Sequence, residues 1–106
     1  MQSGDDNFLK LRSALGFAMK AGKVRSGELA ADRTLKSGKA CLVVIDSAAS
    51  IAAKKRWSDA CSHYSVELIE LNGMGSAIGR EAHMVACITD NGFAQMILRA
   101  RRDIES

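Results

Sequence analysis

The chain has 106 residues, 47% of them apolar, no proline and a formal net charge of +3. That length is enough for one domain and too little for two, and a domain of this size buries roughly two-thirds of its unfolded surface without help from disulfides or metal. No apolar run approaches the ~18 residues of a membrane span, and "MQSGDDNFLKLR" carries no hydrophobic stretch behind a positive start, so neither a membrane helix nor a signal peptide is expected.

In chain order, Asp5, Asp6 or Asn7 is expected to cap a first helix, with Phe8, Leu11, Leu15 and Ala18 at helical spacing and Gly22 at its end. "KVRS" reads as a short extended piece. Ser26 is then expected to cap a second helix that runs to about Lys36 and stops at Gly38. "ACLVVI", residues 40–45, is a continuous apolar run of strand length, the pattern of a central strand covered on both faces. A third helix follows "DSAAS", with Ala53, Trp57, Ala60, Cys61 and Tyr64 on one face and Lys54, Lys55 and Ser58 on another. "VELIEL" (66–71) reads as a less buried strand, "GMGSAIG" leads a short helix, and "MVACIT" (84–89) reads as a buried strand. Asp90 or Asn91 caps a last helix bearing Phe93, Met96, Ile97 and Ala100, with Arg99, Arg101 and Arg102 near its end, where cations suit the helix dipole. Helices alternating with strands predict a three-layer α/β/α arrangement. The whole chain, 1–106, reads as a single domain with an ordered core of about 6–102 and polar, loose ends.

Cys41, Cys61 and Cys87 form no CxxC pair, which excludes a zinc ribbon or a thioredoxin-type motif. Cys41 and Cys87 lie in apolar runs and are expected to act as small hydrophobes, as suits a reducing cytoplasm. No GxSxG, HExxH or Walker loop occurs, and His63 (helix end) and His83 (loop) have no motif partner. An enzyme, a metal site and a cofactor are therefore not expected.

The charge is mild in sum but uneven in placement. Residues 20–56 carry nine basic and three acidic side chains, the remainder six basic and nine acidic. Such asymmetry points to a polyanion partner on one face. The focus is "AGKVRSGELAADRTLKSGKA", residues 21–40. A helix start presents unpaired N–H groups and a partial positive charge, and Gly27 there lets a phosphodiester approach closely. Lys23 and Arg25 precede it. Leu29, Arg33 and Lys36 share one face of the helix, while Ala31 and Leu35, flanked by Ala30 and Thr34, make the other. The same residues equally describe a capped amphipathic helix with solvated bases.

A second candidate is Gly73-x-Gly75-x-x-x-Gly79, after a strand and before a helix, with a later strand ending at Asp90: the outline of a dinucleotide fingerprint. The helix that follows has room for only about two turns, and no second mononucleotide half follows Asp90, so the confirming context is missing.

From Phe8 to Leu98 the order of "AGK", "SG", "SGKA", "KKR", "GSAIGRE" and "DNGFA" resembles the kink-turn RNA-binding ribosomal proteins, of archaeal L-seven-Ae and eukaryotic L-thirty-e type, and within them a bacterial YlxQ-like branch. The resemblance implies an α/β/α sandwich with a four-stranded mixed sheet, and a grip on RNA by the second helix's N-terminus and a nearby loop. It makes Gly27 the close-approach glycine, flanked by Ser26 and Glu28. Arg33 stands for a lysine that contacts phosphate or guanine, and Arg80, Glu81, Ala82 and His83 form a loop over a flipped-out nucleotide. Lys54 and Lys55 would be outer contacts. Where the well-studied members place asparagine and then an acidic or amide residue, this chain has Leu29 and Ala30, which cannot read base edges by hydrogen bonding. Ser47 and Ala48 replace residues that are usually acidic in the YlxQ-like branch. The expectation is a non-catalytic, cytoplasmic protein that binds structured RNA, with ribosome association and altered base readout. Leu29 would stack on a base or sugar. Its rivals are a protein-interaction module that has lost RNA binding and a nucleotide-binding protein built on Gly73–Gly79.

Overall fold

A computed structural model describes residues 2–105, and the side-chain surroundings of residues 8–103. In chain order the elements are α1 (Gln2–Lys20), β1 (Val24–Ser26), α2 (Glu28–Lys36), β2 (Leu42–Asp46), α3 (Ile51–His63), β3 (Leu68–Leu71), α4 (Met74–Ala77), β4 (Val85–Ile88) and α5 (Asn91–Glu105). Helix α1 already runs at Gln2, so Asp5, Asp6 and Asn7 sit within it rather than at a cap, and their side chains lie outside the described residues. Gly22 and Gly38 fall just past the ends of α1 and α2, as the sequence predicts.

The four strands form one mixed sheet in the order β1-β4-β2-β3. Strand β2 runs parallel to β3, with Val43 beside Leu68 and Asp46 beside Leu71, and β4 runs antiparallel to both β2 and β1. Alternate strand side chains point to opposite faces, so β2 feeds two cores. Leu42 and Val44 join Leu11, Leu15 and Ala18 of α1, Met74 of α4 and Ile97 of α5. Val43 and Ile45 join Ala31 and Leu35 of α2, Trp57 and Cys61 of α3, and Val85 and Cys87 of β4. Every residue of β2 is buried, which is why its sequence is apolar almost throughout rather than alternating. The result is the expected α/β/α sandwich, with α1 and α5 on one face and α2 and α3 on the other.

Three expectations shift. Cys41 precedes β2 and is exposed, because the strand begins one residue later and nothing covers that side chain. Met96 is 45% exposed at the edge of the α5 face whose centre, Ile97 and Ala100, is buried. Tyr64, the residue after α3, is also exposed, so that helix's buried face reduces to Trp57 and Cys61. Asp90 does cap α5, its carboxylate accepting from the Phe93 N–H at 2.9 Å.

The cysteine environments give a direct check on this packing. Desolvation pushes the Cys61 thiol up to about 11 and the Cys87 thiol up to about 12. Thiol reagents attack the thiolate, and at pH 8 a group of pKa 11 is ionised to about one part in a thousand. A thiol-titrating disulfide reagent at that pH should therefore consume one thiol per native chain quickly, Cys41. The other two should react only after denaturation. Fast reaction of all three in the native protein would contradict the described core.

Two features set up the site. Asp46 ends β2 as a buried carboxylate, accepting from the Ala48 N–H at 2.8 Å and from the Met74 N–H at 3.2 Å. It thereby ties the strand end to the start of α4. Gly75 in α4 lies so close to the chain between α4 and β4 that an added Cβ would stand 2.6 Å from the Arg80 carbonyl oxygen and 2.8 Å from that of His83.

Candidate functional site

The chain enters α2 through Gly27, at φ 92 and ψ 155, a region of backbone space essentially reserved for glycine. The Gly27 N–H is used by the sheet, donating to the Val85 carbonyl at 2.9 Å. The helix itself begins at Glu28 with no side-chain cap. Helix α3, by contrast, is capped by Ser50, whose Oγ accepts from the Ala53 N–H at 3.1 Å, and α4 and α5 are served by Asp46 and Asp90. Among the described residues no side chain caps the α2 tip, so its first amides and the positive end of its dipole have no side-chain partner.

Ser26 is not the cap that its position suggested. It belongs to β1, and its Oγ shares a 2.8 Å hydrogen bond with His83 Nδ1, 57 residues away. That bond lays the imidazole beside Gly27, where an added Cβ would meet its Cε1 and Nε2 at 3.4 Å. Ser26, Gly27 and His83 therefore converge at the α2 tip, the ring held by Nδ1 and its Nε2 edge directed toward the glycine. Gly75 makes this possible, since only a residue without a side chain lets the Arg80–His83 backbone pass so near α4.

Beside this cluster opens a pocket of about 280 Å³. Gly27 and Glu28 form one wall, Ala82, His83 and Met84 another, and Ala49, Ser50 and Ala53 at the start of α3 a third, with Trp57 also in the lining. Of the four loop residues singled out in the sequence, Ala82 and His83 line it, whereas Arg80 and Glu81 are exposed and do not. The α3 wall and Trp57 are the residues that sequence reading missed. The available signal was "DSAASIAA", a run of small side chains just after a buried strand, which leaves a hollow wherever three segments meet.

The predicted cations divide into two groups. Lys36 pairs with Asp32 at 3.0 Å, Lys54 with Glu70 at 3.3 Å and Lys55 with Asp59 at 3.4 Å. Asp32, by hydrogen bond and by charge, holds the Lys36 ammonium above its usual range. Glu28, at the helix tip, is taken up by Arg56 of α3. These exposed pairs are weak, and a stronger anion can displace their carboxylates. Lys23, Arg25 and Arg33 are exposed on the other flank, with Arg25 Nη1 donating to the carbonyls of Gly22 and Val24. Leu29 is 65% exposed beside Arg56 and Trp57, an apolar side chain on a polar rim.

The glycine-rich stretch makes no phosphate cradle of the dinucleotide kind. The first amide of α4, Met74 N–H, is filled by Asp46, and Gly75 is occupied by loop carbonyls. Among the described residues no group of His, Cys, Asp and Glu could hold a metal ion, and no helix is long and apolar enough to cross a membrane.

The chain is similar to known proteins both in sequence and in fold. Residues 9–98 match the model of the ribosomal protein L7Ae/L30e/S12e/Gadd45 family. The RNA-binding protein YlxQ of Bacillus subtilis (strain 168) is 34% identical over 87 residues, covering 79% of this chain and 87% of the relative. The RNA-binding protein YlxQ of Enterococcus faecium is 33% identical over 94 residues, covering 86% and 90%. Among solved structures, the Giardia lamblia 15.5 kD RNA binding protein superposes with a TM-score of 0.75 over 94% of this chain and 88% of its own, at 20% identity.

Proposed function

The chain belongs to the ribosomal protein L7Ae/L30e/S12e/Gadd45 family, and from that premise we propose that it is a non-catalytic, cytoplasmic RNA-binding protein that grips structured RNA with the α2 tip. The observation that carries the reading is the uncapped helix start at Gly27, opening onto the pocket beside His83. A backbone phosphate at the tip takes the free amides and the dipole. A base turned out of its stack enters the pocket, against His83 and Trp57. Irregular RNA is the partner because it presents unstacked bases that duplex DNA keeps inside. Leu29 and Ala30 offer no polar groups to G·A edges, so base readout is reduced relative to kink-turn readers, by about 1–3 kcal/mol for each bidentate hydrogen-bond pair that they cannot make. Leu29 packs instead on a base or sugar. Ribosomal or other structured RNA is the natural partner class, and both curated relatives carry RNA-binding names.

Filter binding of the purified protein to structured RNA across a salt series tests this. With about five phosphates neutralised, log affinity should fall against log salt with a slope of about −3.5 to −4.5. Trp57 is the single tryptophan and lines the pocket, so its emission should change as RNA is added. Gly27→Ala forces a side chain into a glycine-only conformation and against the His83 ring, a strain of about 1–3 kcal/mol. That strain lowers stability, and relieving it turns the α2 tip away from its present geometry while the added methyl stands where a phosphate would approach, so RNA affinity should drop by roughly five- to tenfold. Absence of any RNA binding by the unaltered protein at low salt would remove the proposal.

A further inference from the structure

On the flank of α2 away from the pocket lies an open basin of about 520 Å³ lined by Arg25, Arg33, Thr34, Ser37, Lys39 and Thr89. It shares no lining residue with the pocket beside Gly27. We propose that this basin is a second phosphodiester seat, holding a backbone segment of the RNA other than the one at the α2 tip. The inference rests on the RNA-binding reading above: Arg25 and Arg33, already candidates for RNA contact, join Lys39 in a seat that continues from the tip along the flank of α2.

Charge is the first argument. Three cations line the basin and no carboxylate does. On the other flank, Lys36, Arg56, Lys54 and Lys55 each have an acidic partner, whereas among the described residues Arg33 and Lys39 have none. The basin thus gathers three cations at one place with no carboxylate among its lining residues.

The second argument concerns which anion. The hydroxyls are turned inward: Thr34 Oγ1 donates to the Ala30 carbonyl at 2.8 Å, Ser37 Oγ to that of Thr34 at 3.0 Å, and Thr89 Oγ1 to that of Lys23 at 3.2 Å. Their protons are committed, so the basin's open donors are its cationic side chains, two guanidiniums and one ammonium. With no aromatic ring in the lining to stack a base, guanidinium and ammonium groups side by side match the oxygens of successive phosphates. The two carbonyls that hold Arg25 Nη1 fix that guanidinium in place while its Nη2 stays available. The wide, open shape also suits a run of backbone better than one enclosed phosphate.

Lys39 has no part in the α2 tip, which makes it the variant of choice. The probe is a hairpin RNA with a purine-rich internal loop between two stems, each longer than one helical turn. Lys39→Gln should flatten the salt slope by about 0.7–0.9. Phosphate-ethylation interference on the same RNA should show two separated groups of phosphates with the unaltered protein, and with Lys39→Gln the second group should lose about one phosphate while the first is unchanged. An unchanged slope and pattern with the variant, while the unaltered protein binds, would overturn the second seat and leave the tip intact. No binding by the unaltered protein would remove the RNA reading itself and this seat with it. Inorganic phosphate supplies the remaining arm: it should displace RNA no better than chloride at equal ionic strength. Displacement by phosphate that is selective in the unaltered protein and absent in Lys39→Gln would make the basin a small-anion site and overturn the assignment.

Discussion

Trp57→Ala should lower the stability of the fold by about 3–5 kcal/mol, the usual range for deleting a large aromatic from a core. In a chain of this length that corresponds to a fall in melting temperature of roughly 12 °C or more. The indole is 5% exposed and sits in the core between the sheet and the α2–α3 layer, with Leu35, Ile45 and Val85. Its removal would join the neighbouring pocket to the space the ring fills and uncover more of Ile45 and Val85, which line that pocket with it. Thermal unfolding followed by far-UV circular dichroism reads the effect. Trp57→Phe, which keeps an aromatic ring, should lose far less. A Trp57→Ala protein that melts like the unaltered one would mean that the ring is not a structural member of this core.

Gly75→Ala is the second large effect. The new Cβ would lie 2.6 Å from the Arg80 oxygen, 2.8 Å from that of His83 and 3.0 Å from that of Glu81. All three are backbone atoms, so no side-chain rotation relieves the clash, and overpacking of this kind destabilises by about 1–3 kcal/mol. The chain between α4 and β4 must move away, taking His83 from its bond to Ser26. Melting temperature and RNA affinity should fall together, with the affinity loss persisting at temperatures where the variant is fully folded. If the variant melted normally and bound RNA normally, Gly75 would not be the support of the His83 wall.

How far the sequence announced these features differs from element to element. The β2 run was plain because a strand covered on both faces has few polar positions to confuse its pattern. The helix ends at Gly22 and Gly38, and the Asp90 cap, depend on neighbours within a few residues, and local chemistry predicts them. Ser26 departs from its local pattern for the opposite reason. Its hydroxyl has the chemistry of a helix cap, yet it is claimed by His83 from the far end of the chain. Likewise "GMGSAIG" resembles a phosphate loop until Asp46 is seen to fill the first amide of its helix. The basic face of α2 was legible as a face: Leu29, Arg33 and Lys36 are all exposed. The Lys36–Asp32 pair follows from i,i+4 spacing within α2, but the pairing of Glu28 with Arg56 and of Lys54 with Glu70 joins different elements and could not be read locally. The pocket was invisible for the same reason, being a gap between three segments rather than a property of any one.

The layering has a practical outcome for anyone handling this protein. The first and last helices both pack on the sheet surface opposite α2 and α3, and their exposed Leu9, Phe17 and Met96 lie on that same side. A sensor chip, dye or affinity tag joined through either end helix is therefore anchored at the back of the molecule. The Gly27 tip and the Lys39 basin then face the solution unobstructed, so immobilised and free protein should report the same affinities.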